Sequence, residues 1–261
     1  MPPLGPNGER ARIVVAGRTL EVGQITTGSD RCPIVLLHEG LGSIDMWRDF
    51  PDRLARTTGR DVVVYSRYGH GRSERLREAR SPAYMHEEAR VALRGLLAAL
   101  GVAKPVLFGH SDGGSIALIY AATFPGEVEA LVLEAPHVFV ETLTVEGIAR
   151  AKAQASDGDL LAKLGRYHDD PQGTFTGWND IWLQPEFAAW NITELLPAVA
   201  PPVLTIQGRN DAYGSEKQLA AIAAGVPHST AILLDECGHS PHRDHPDAVL
   251  EHVRAFLADR A

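Results

Sequence analysis

Between residues 106 and 120 the sequence runs from a short apolar stretch, Val106-Leu107-Phe108, through Gly109-His110-Ser111-Asp112-Gly113-Gly114, into a second apolar stretch, Ile116-Ala117-Leu118-Ile119-Tyr120. This order predicts a buried strand, a sharp turn with a serine at its apex, and a helix that leaves the turn at once. Glycines at 109 and 113 let strand and helix approach closely while Ser111 takes a strained backbone conformation. A serine hydroxyl is a poor nucleophile near neutral pH. Chemistry on it requires exposure, a base beside it and a place for developing negative charge. The turn supplies the exposure, and Ser111 is the expected nucleophile.

The base is sought C-terminal to the serine, with an anionic partner that fixes its tautomer, in the order serine, acid, histidine. Asp211 closes Gly208-Arg209-Asn210-Asp211 after the apolar run 203–207, and His239 lies in Cys237-Gly238-His239-Ser240 after the run 230–235. Both therefore fall at predicted strand ends, where open α/β sheets collect their functional groups. Glu134, at the end of the strand 128–134, is the second-ranked acid. Among the other histidines, His70, His242 and His245 read as loop or surface residues, and His86, His168, His228 and His252 as solvent-facing; His110 points inward with a hydrogen-bonded core role.

Negative charge on a reacting carbonyl oxygen would be held by two backbone amides. One is that of Asp112, at the start of the helix; the other comes from the loop His38-Glu39-Gly40-Leu41-Gly42-Ser43, with Gly40 as the expected donor and Leu41 as the fallback. Two readings of the Asp112 side chain stand side by side. In one it recognises an amino group on the substrate's acyl portion, with Glu39 assisting; in the other it pairs with Arg67 or caps its helix.

Short apolar runs at 33–37, 62–66, 106–110 and 128–134, without polar alternation, predict a parallel sheet covered on both faces, preceded by a hairpin at 12–15 and 20–26. A helix is expected over 83–100. Residues 137–200 carry no strand pattern and hold Trp178, Trp182 and Trp190; strand and helix alternation resumes after Pro201-Pro202, with a helix near 215–224 and a last helix at 246–258. The expected organisation is a core of 1–136 and 201–261 interrupted by a helical cap over 137–200. Trp178, Trp182, Phe187 and Trp190 either line a pocket or pack the cap onto the sheet.

Composition narrows the function classes. The 44% apolar content supports a sizeable core, and a formal net charge of −8 argues against nucleic acid or an anionic membrane as partner. No stretch reaches the length of a bilayer span, and the N-terminus lacks a basic start followed by an apolar block, so a cytoplasmic protein is expected. Cys32 and Cys237, each beside a predicted strand, read as a reduced, buried pair. No histidine or cysteine spacing fits a metal motif, so no metal is expected.

Taken together, the loop HEGLGS, the loop SRYGHGRS, the elbow GHSDGG, the acid in GRND and the histidine in CGHS resemble the α/β-hydrolase fold family over essentially the whole length. The resemblance implies an eight-stranded, mostly parallel sheet flanked by helices, with a helical cap over a pocket. It implies two-step acyl transfer through Ser111, His239 and Asp211 without a cofactor. From the residues themselves, substrate contacts are expected from Glu39, Leu41, Asp112, Trp178 and Trp182. Many members read His-Gly where this chain reads His38-Glu39, which adds a carboxylate near the pocket. The Ser-Asp-Gly-Gly pattern is similar to that of amino-acid ester hydrolases. A small to medium carboxylic ester is the expected substrate, and a monomer or homodimer the expected state. The alternatives are a hydrolase of carbon–carbon bonds in vinylogous diketo acids, weakened by His110 where such relatives carry asparagine, and a non-catalytic small-molecule receptor.

Overall fold

A computed structural model describes residues 10–156 and 158–258. The N-terminal residues 1–9, part of the stretch read for a leader, lie outside the described residues. Eight strands form one sheet: β1 (Ala11–Val15), β2 (Arg18–Ile25), β3 (Ile34–Leu37), β4 (Val62–Ser66), β5 (Val106–His110), β6 (Ala130–Glu134), β7 (Val203–Gly208) and β8 (Ser229–Leu234). Their spatial order is β1-β2-β4-β3-β5-β6-β7-β8, with β1 and β2 antiparallel to their neighbours and all other pairs parallel. β3 to β7 are apolar and buried along their length because helices cover both faces; β8, at the edge, is half-exposed.

On one face, α1 (Phe50–Thr58) and a C-terminal helix at Pro246–Leu257 pack over a core containing Phe108, Val132 and Ile206. On the other, the elbow helix at Asp112–Thr123 is buried against Leu37, Leu107 and Leu133. The helix expected over 83–100 is one continuous coil in three pieces, α2 (Tyr84–Glu87), a π-helical stretch at Glu88–Leu93, and α3 (Arg94–Leu100). The elbow helix is α4. Within that stretch the apolar Val91 is 54% exposed, while Glu88 is buried against Arg80 at 3.6 Å.

Between β6 and β7 the chain forms α5 (Thr142–Ser156), α6 (Asp159–Leu164) and α7 (Pro171–Trp182), then two short 3₁₀ turns. Its sole β pairing among the described residues is an isolated bridge between Phe139 and Asn191. α7 starts where Asp170 accepts from the Gly173 amide at 2.9 Å, with Pro171 in the first turn, where a missing N–H costs nothing. Beyond β7 come α8 (Glu216–Gly225), α9 (Pro241–Asp244) and α10, the C-terminal helix already placed. No helix among the described residues is long and apolar enough to cross a membrane. Cys237 is buried and Cys32 only half-buried, both as free thiols.

Candidate active site

Ser111 sits between the end of β5 and the first residue of α4 with φ 54° and ψ −117°, a left-handed conformation that costs a non-glycine residue energy. The surroundings hold it there. The Ser111 amide donates to the Glu134 carbonyl at 2.8 Å, and its carbonyl accepts from Gly114 and Ser115 at 2.9 and 3.1 Å. A Cβ on Gly113 would run into the Leu37 carbonyl, and one on Gly109 into the Gly113 carbonyl. The turn is closed by backbone contact, as the two glycines predict.

His239 follows β8 and turns Nδ1 onto Asp211, with contacts of 2.9 and 2.8 Å to its two carboxylate oxygens. Asp211 follows β7 and is buried. Its Oδ1 accepts from the Tyr213 amide at 2.8 Å, and its Oδ2 from Gln207 Nε2 at 2.6 Å. Burial pushes the carboxyl up, but His239 and the Tyr213 amide, with a smaller contribution from His137, outweigh it, and the group lies below the usual aspartate value. With Nδ1 committed to Asp211, Nε2 is the nitrogen left for a reacting proton. Ser111 and His239 line one cavity of about 240 Å³. Among the described residues no hydrogen bond joins the hydroxyl to the ring, a contact that in such sites often tightens only around substrate. Glu134, the second-ranked acid, does not meet His239; its Oε2 accepts from His242 Nδ1 at 2.6 Å.

The loop after β3 is held through its carbonyls. Glu39 O accepts from Arg67 Nη2 at 2.9 Å, His38 Nδ1 at 2.7 Å and the Gly42 amide at 3.0 Å. Across a trans peptide this turns the Gly40 N–H the opposite way. His38 Nε2 accepts from the Arg67 amide at 2.9 Å, so the proton resides on Nδ1. His70 places Nε2 3.0 Å from the Gly40 carbonyl. His168 Nδ1 accepts from the Gly71 amide at 2.9 Å, which leaves Nε2–H to donate to the Leu41 carbonyl at 2.9 Å. Burial, then the nearby Arg67 charge, hold His38 and His70 well below the ordinary imidazole range, and burial lowers His168.

Three histidines therefore depart from their sequence reading. His70, His168 and His242 are buried rather than on the surface. His70 and His168 satisfy loop carbonyls that no secondary structure pairs, and His242 packs on Trp47, at 4.7 Å between ring centroids, while hydrogen-bonding the buried Glu134. His137, not singled out in the sequence, also lines the cavity. It follows β6, a strand-end position like those of Asp211 and His239, and its Nε2 faces the Tyr213 carbonyl at 3.0 Å.

Glu39, Gly40, Leu41, Asp112, Trp178 and Trp182 all reach the cavity wall. Phe187 and Trp190 do not; they stack on each other at 5.6 Å and meet Trp182 edge-on and tilted. Asp112 Oδ2 accepts from the Tyr84 hydroxyl at 2.8 Å and lies 3.4 Å from Arg67 Nη2, so the pairing with Arg67 read as one alternative is present. Its other oxygen, Oδ1, is buried without a partner among the described residues.

A mostly parallel sheet whose polar groups gather at the C-terminal ends of its strands, with a serine at a strained strand-to-helix turn, defines a hydrolase of α/β architecture. Residues 33–176 match the family model described as alpha/beta hydrolase fold, and the chain belongs to that family. It is 28% identical over 249 residues to the esterase YbfF of Escherichia coli strain K12, covering 87% of this chain and 93% of the relative. It is 34% identical over 113 residues to a proline iminopeptidase of Lactobacillus delbrueckii subsp. lactis, covering 43% of this chain and 37% of the relative. The crystal structure of the enol-lactonase from Burkholderia xenovorans LB400 superposes with a TM-score of 0.77 at 20% identity, over 95% of this chain and all of the other, a likeness of fold.

Proposed function

We propose that the protein hydrolyses small to medium carboxylic esters through an acyl-enzyme on Ser111. The observation that carries this is the pairing of a strained elbow serine with a His239–Asp211 couple in one cavity. His239 Nε2 takes the Ser111 proton as the hydroxyl attacks the ester carbonyl. The amides of Gly40 and Asp112 hold the oxyanion, Asp112 with the N-terminal end of α4 behind it. His239 then protonates the departing alcohol, and water releases the acid by the same steps in reverse order. The esterase among the relatives is in line with this reading.

An amine on the acyl portion is supported by Asp112, which lines the cavity and whose Oδ1 is a buried carboxylate oxygen with no protein partner among the described residues. An ammonium group placed there gives that oxygen a charged donor. The relatives called proline iminopeptidases favour the same feature, since the acyl group such a name implies bears nitrogen beside the carbonyl.

A panel of p-nitrophenyl esters with and without an α-amino group, followed for turnover, tests the activity. Ser111→Ala should abolish turnover, and a fluorophosphonate should label Ser111, as read by mass spectrometry of the peptide. Unchanged turnover in Ser111→Ala, or binding of esters without turnover in the native protein, would overturn the reading.

A further inference from the structure

His110 is the last residue of β5 and precedes Ser111, yet its ring reaches two other loops. Nε2–H donates to the His239 carbonyl at 2.6 Å. Nδ1 lies 3.6 Å from Glu39 Oε2, at ion-pair distance, and has no hydrogen-bond partner of its own. Both ring nitrogens thus face acceptors. A neutral imidazole carries one N–H and would leave a lone pair against a carboxylate; a ring with two N–H groups meets both.

We propose that His110 is a positioning residue, a charged clasp that ties the elbow, the His239 loop and the oxyanion loop into one unit. Its surroundings have the sign this requires. Glu39 faces it from the loop after β3 and Glu134 from β6, where it is the lateral partner of His110 in the sheet. The His242 ring of α9 lies 5.1 Å away, already engaged with Glu134, and the His239 ring lies 5.2 Å away. Burial works against a charged ring, but Glu39, Glu134 and the His239 carbonyl outweigh it and raise the ring's pKa above its ordinary value. Glu39, itself half-buried, is in return held well below the usual glutamate value, with the His110 contact outweighing desolvation.

The clasp bears on the oxyanion site because Glu39 is joined to Gly40. The carboxylate folds over Gly42, where a Cβ would run into Oε2, so the shape of the loop follows the position of that side chain. Loss of the second proton sets a lone pair of His110 against the Glu39 carboxylate and releases the loop. The penalty falls on the transition state, which needs the Gly40 amide, more than on substrate binding.

The kinetic consequence rests on the serine-hydrolase reading; the protonation state does not. In the full-length protein with ¹⁵N-labelled histidine, His110 should carry protons on both nitrogens in more than half of molecules at pH 6.5, the ordinary imidazole midpoint. Glu39→Gln should lower that midpoint. With p-nitrophenyl acetate it should reduce kcat by about 10-fold, leave KM within about twofold, and move the alkaline limb of the rate profile to lower pH. His110→Gln should lose the limb altogether. A ring neutral at pH 6.5, a stoichiometric metal ion bound by His110, Glu134 and His242 in the purified protein, or a Glu39→Gln variant with the native rate and profile would overturn the proposal. If Ser111 resists fluorophosphonate while the ring is doubly protonated, the serine chemistry fails and the clasp stands.

Discussion

His168 donates from Nε2 to the carbonyl of Leu41 at 2.9 Å, a contact between residues 127 positions apart. It joins the segment between β6 and β7 to the loop after β3. Because the same ring accepts from the Gly71 amide, its tautomer is set and both ends are used. The peptide two along from the proposed Gly40 oxyanion amide is therefore held by a residue from outside the central sheet.

Removing that ring should be felt in both stability and rate. His168→Ala leaves the Gly71 N–H and the Leu41 carbonyl buried and unpaired, at about 1–3 kcal/mol for each such group. The urea midpoint should fall, and kcat should drop by more than KM rises. A variant with native midpoint and native kcat would show that the two segments are not coupled.

The two acids near the site should separate by rate. Asp211→Asn keeps the shape of the His239 contact but favours the wrong tautomer, and kcat for p-nitrophenyl acetate should fall by about 10⁴-fold. Glu134→Gln touches His242 rather than His239, so its loss should stay below about 10-fold. The opposite ranking would transfer the acid's role to Glu134.

Asp112→Asn tests the amine. The substitution keeps the size of the side chain at Tyr84 and Arg67 while removing its charge. The kcat/KM for α-amino esters should fall by about 10-fold or more relative to that for uncharged esters of the same size. Equal losses on both would assign Asp112 to Arg67 alone.

Acid should destabilise the fold earlier than carboxylate titration explains. His38, His70, His137 and His168 are buried with pKa values below the ordinary 6.5. The unfolded chain then binds more protons as pH drops below about 6.5, so stability falls there, each ring adding up to about 1.4 kcal/mol per pH unit. His110 has the opposite sign. Its raised pKa contributes stability that is full below 6.5 and is lost as pH rises through the folded value. Asp211, held below 3.8, acts only at lower pH. Denaturant unfolding at a series of pH values checks all three; stability flat between pH 5 and 6.5 would contradict the neutral state of the four rings.

The sheet and the elbow were legible because they depend on local pattern. Apolar runs such as Ile34–Leu37 and Val106–His110 appear at their observed bounds to within a residue, since a strand buried on both faces has no polar alternation to blur it. Ser111, Asp211 and His239 share a signal of the same kind, each sitting just past such a run. His168 has no such mark. Its neighbours Tyr167, Asp169 and Asp170 give it a polar setting, and it is buried by Gly71 and Leu41, far away in the chain. His110 was placed inward correctly, but its partners, Glu39 and the His239 carbonyl, come from two loops whose convergence only the tertiary structure supplies.

The tie from His168 to Leu41 constrains how substrate range can diverge on this scaffold. Exchanging the helices between β6 and β7 for those of another hydrolase looks like a modular graft, since Trp178 and Trp182 would travel with them. A chimera that omits an imidazole at the position of His168 would also slacken the opposite wall of the pocket, so new specificity and lost turnover would arrive together unless that one residue were carried across.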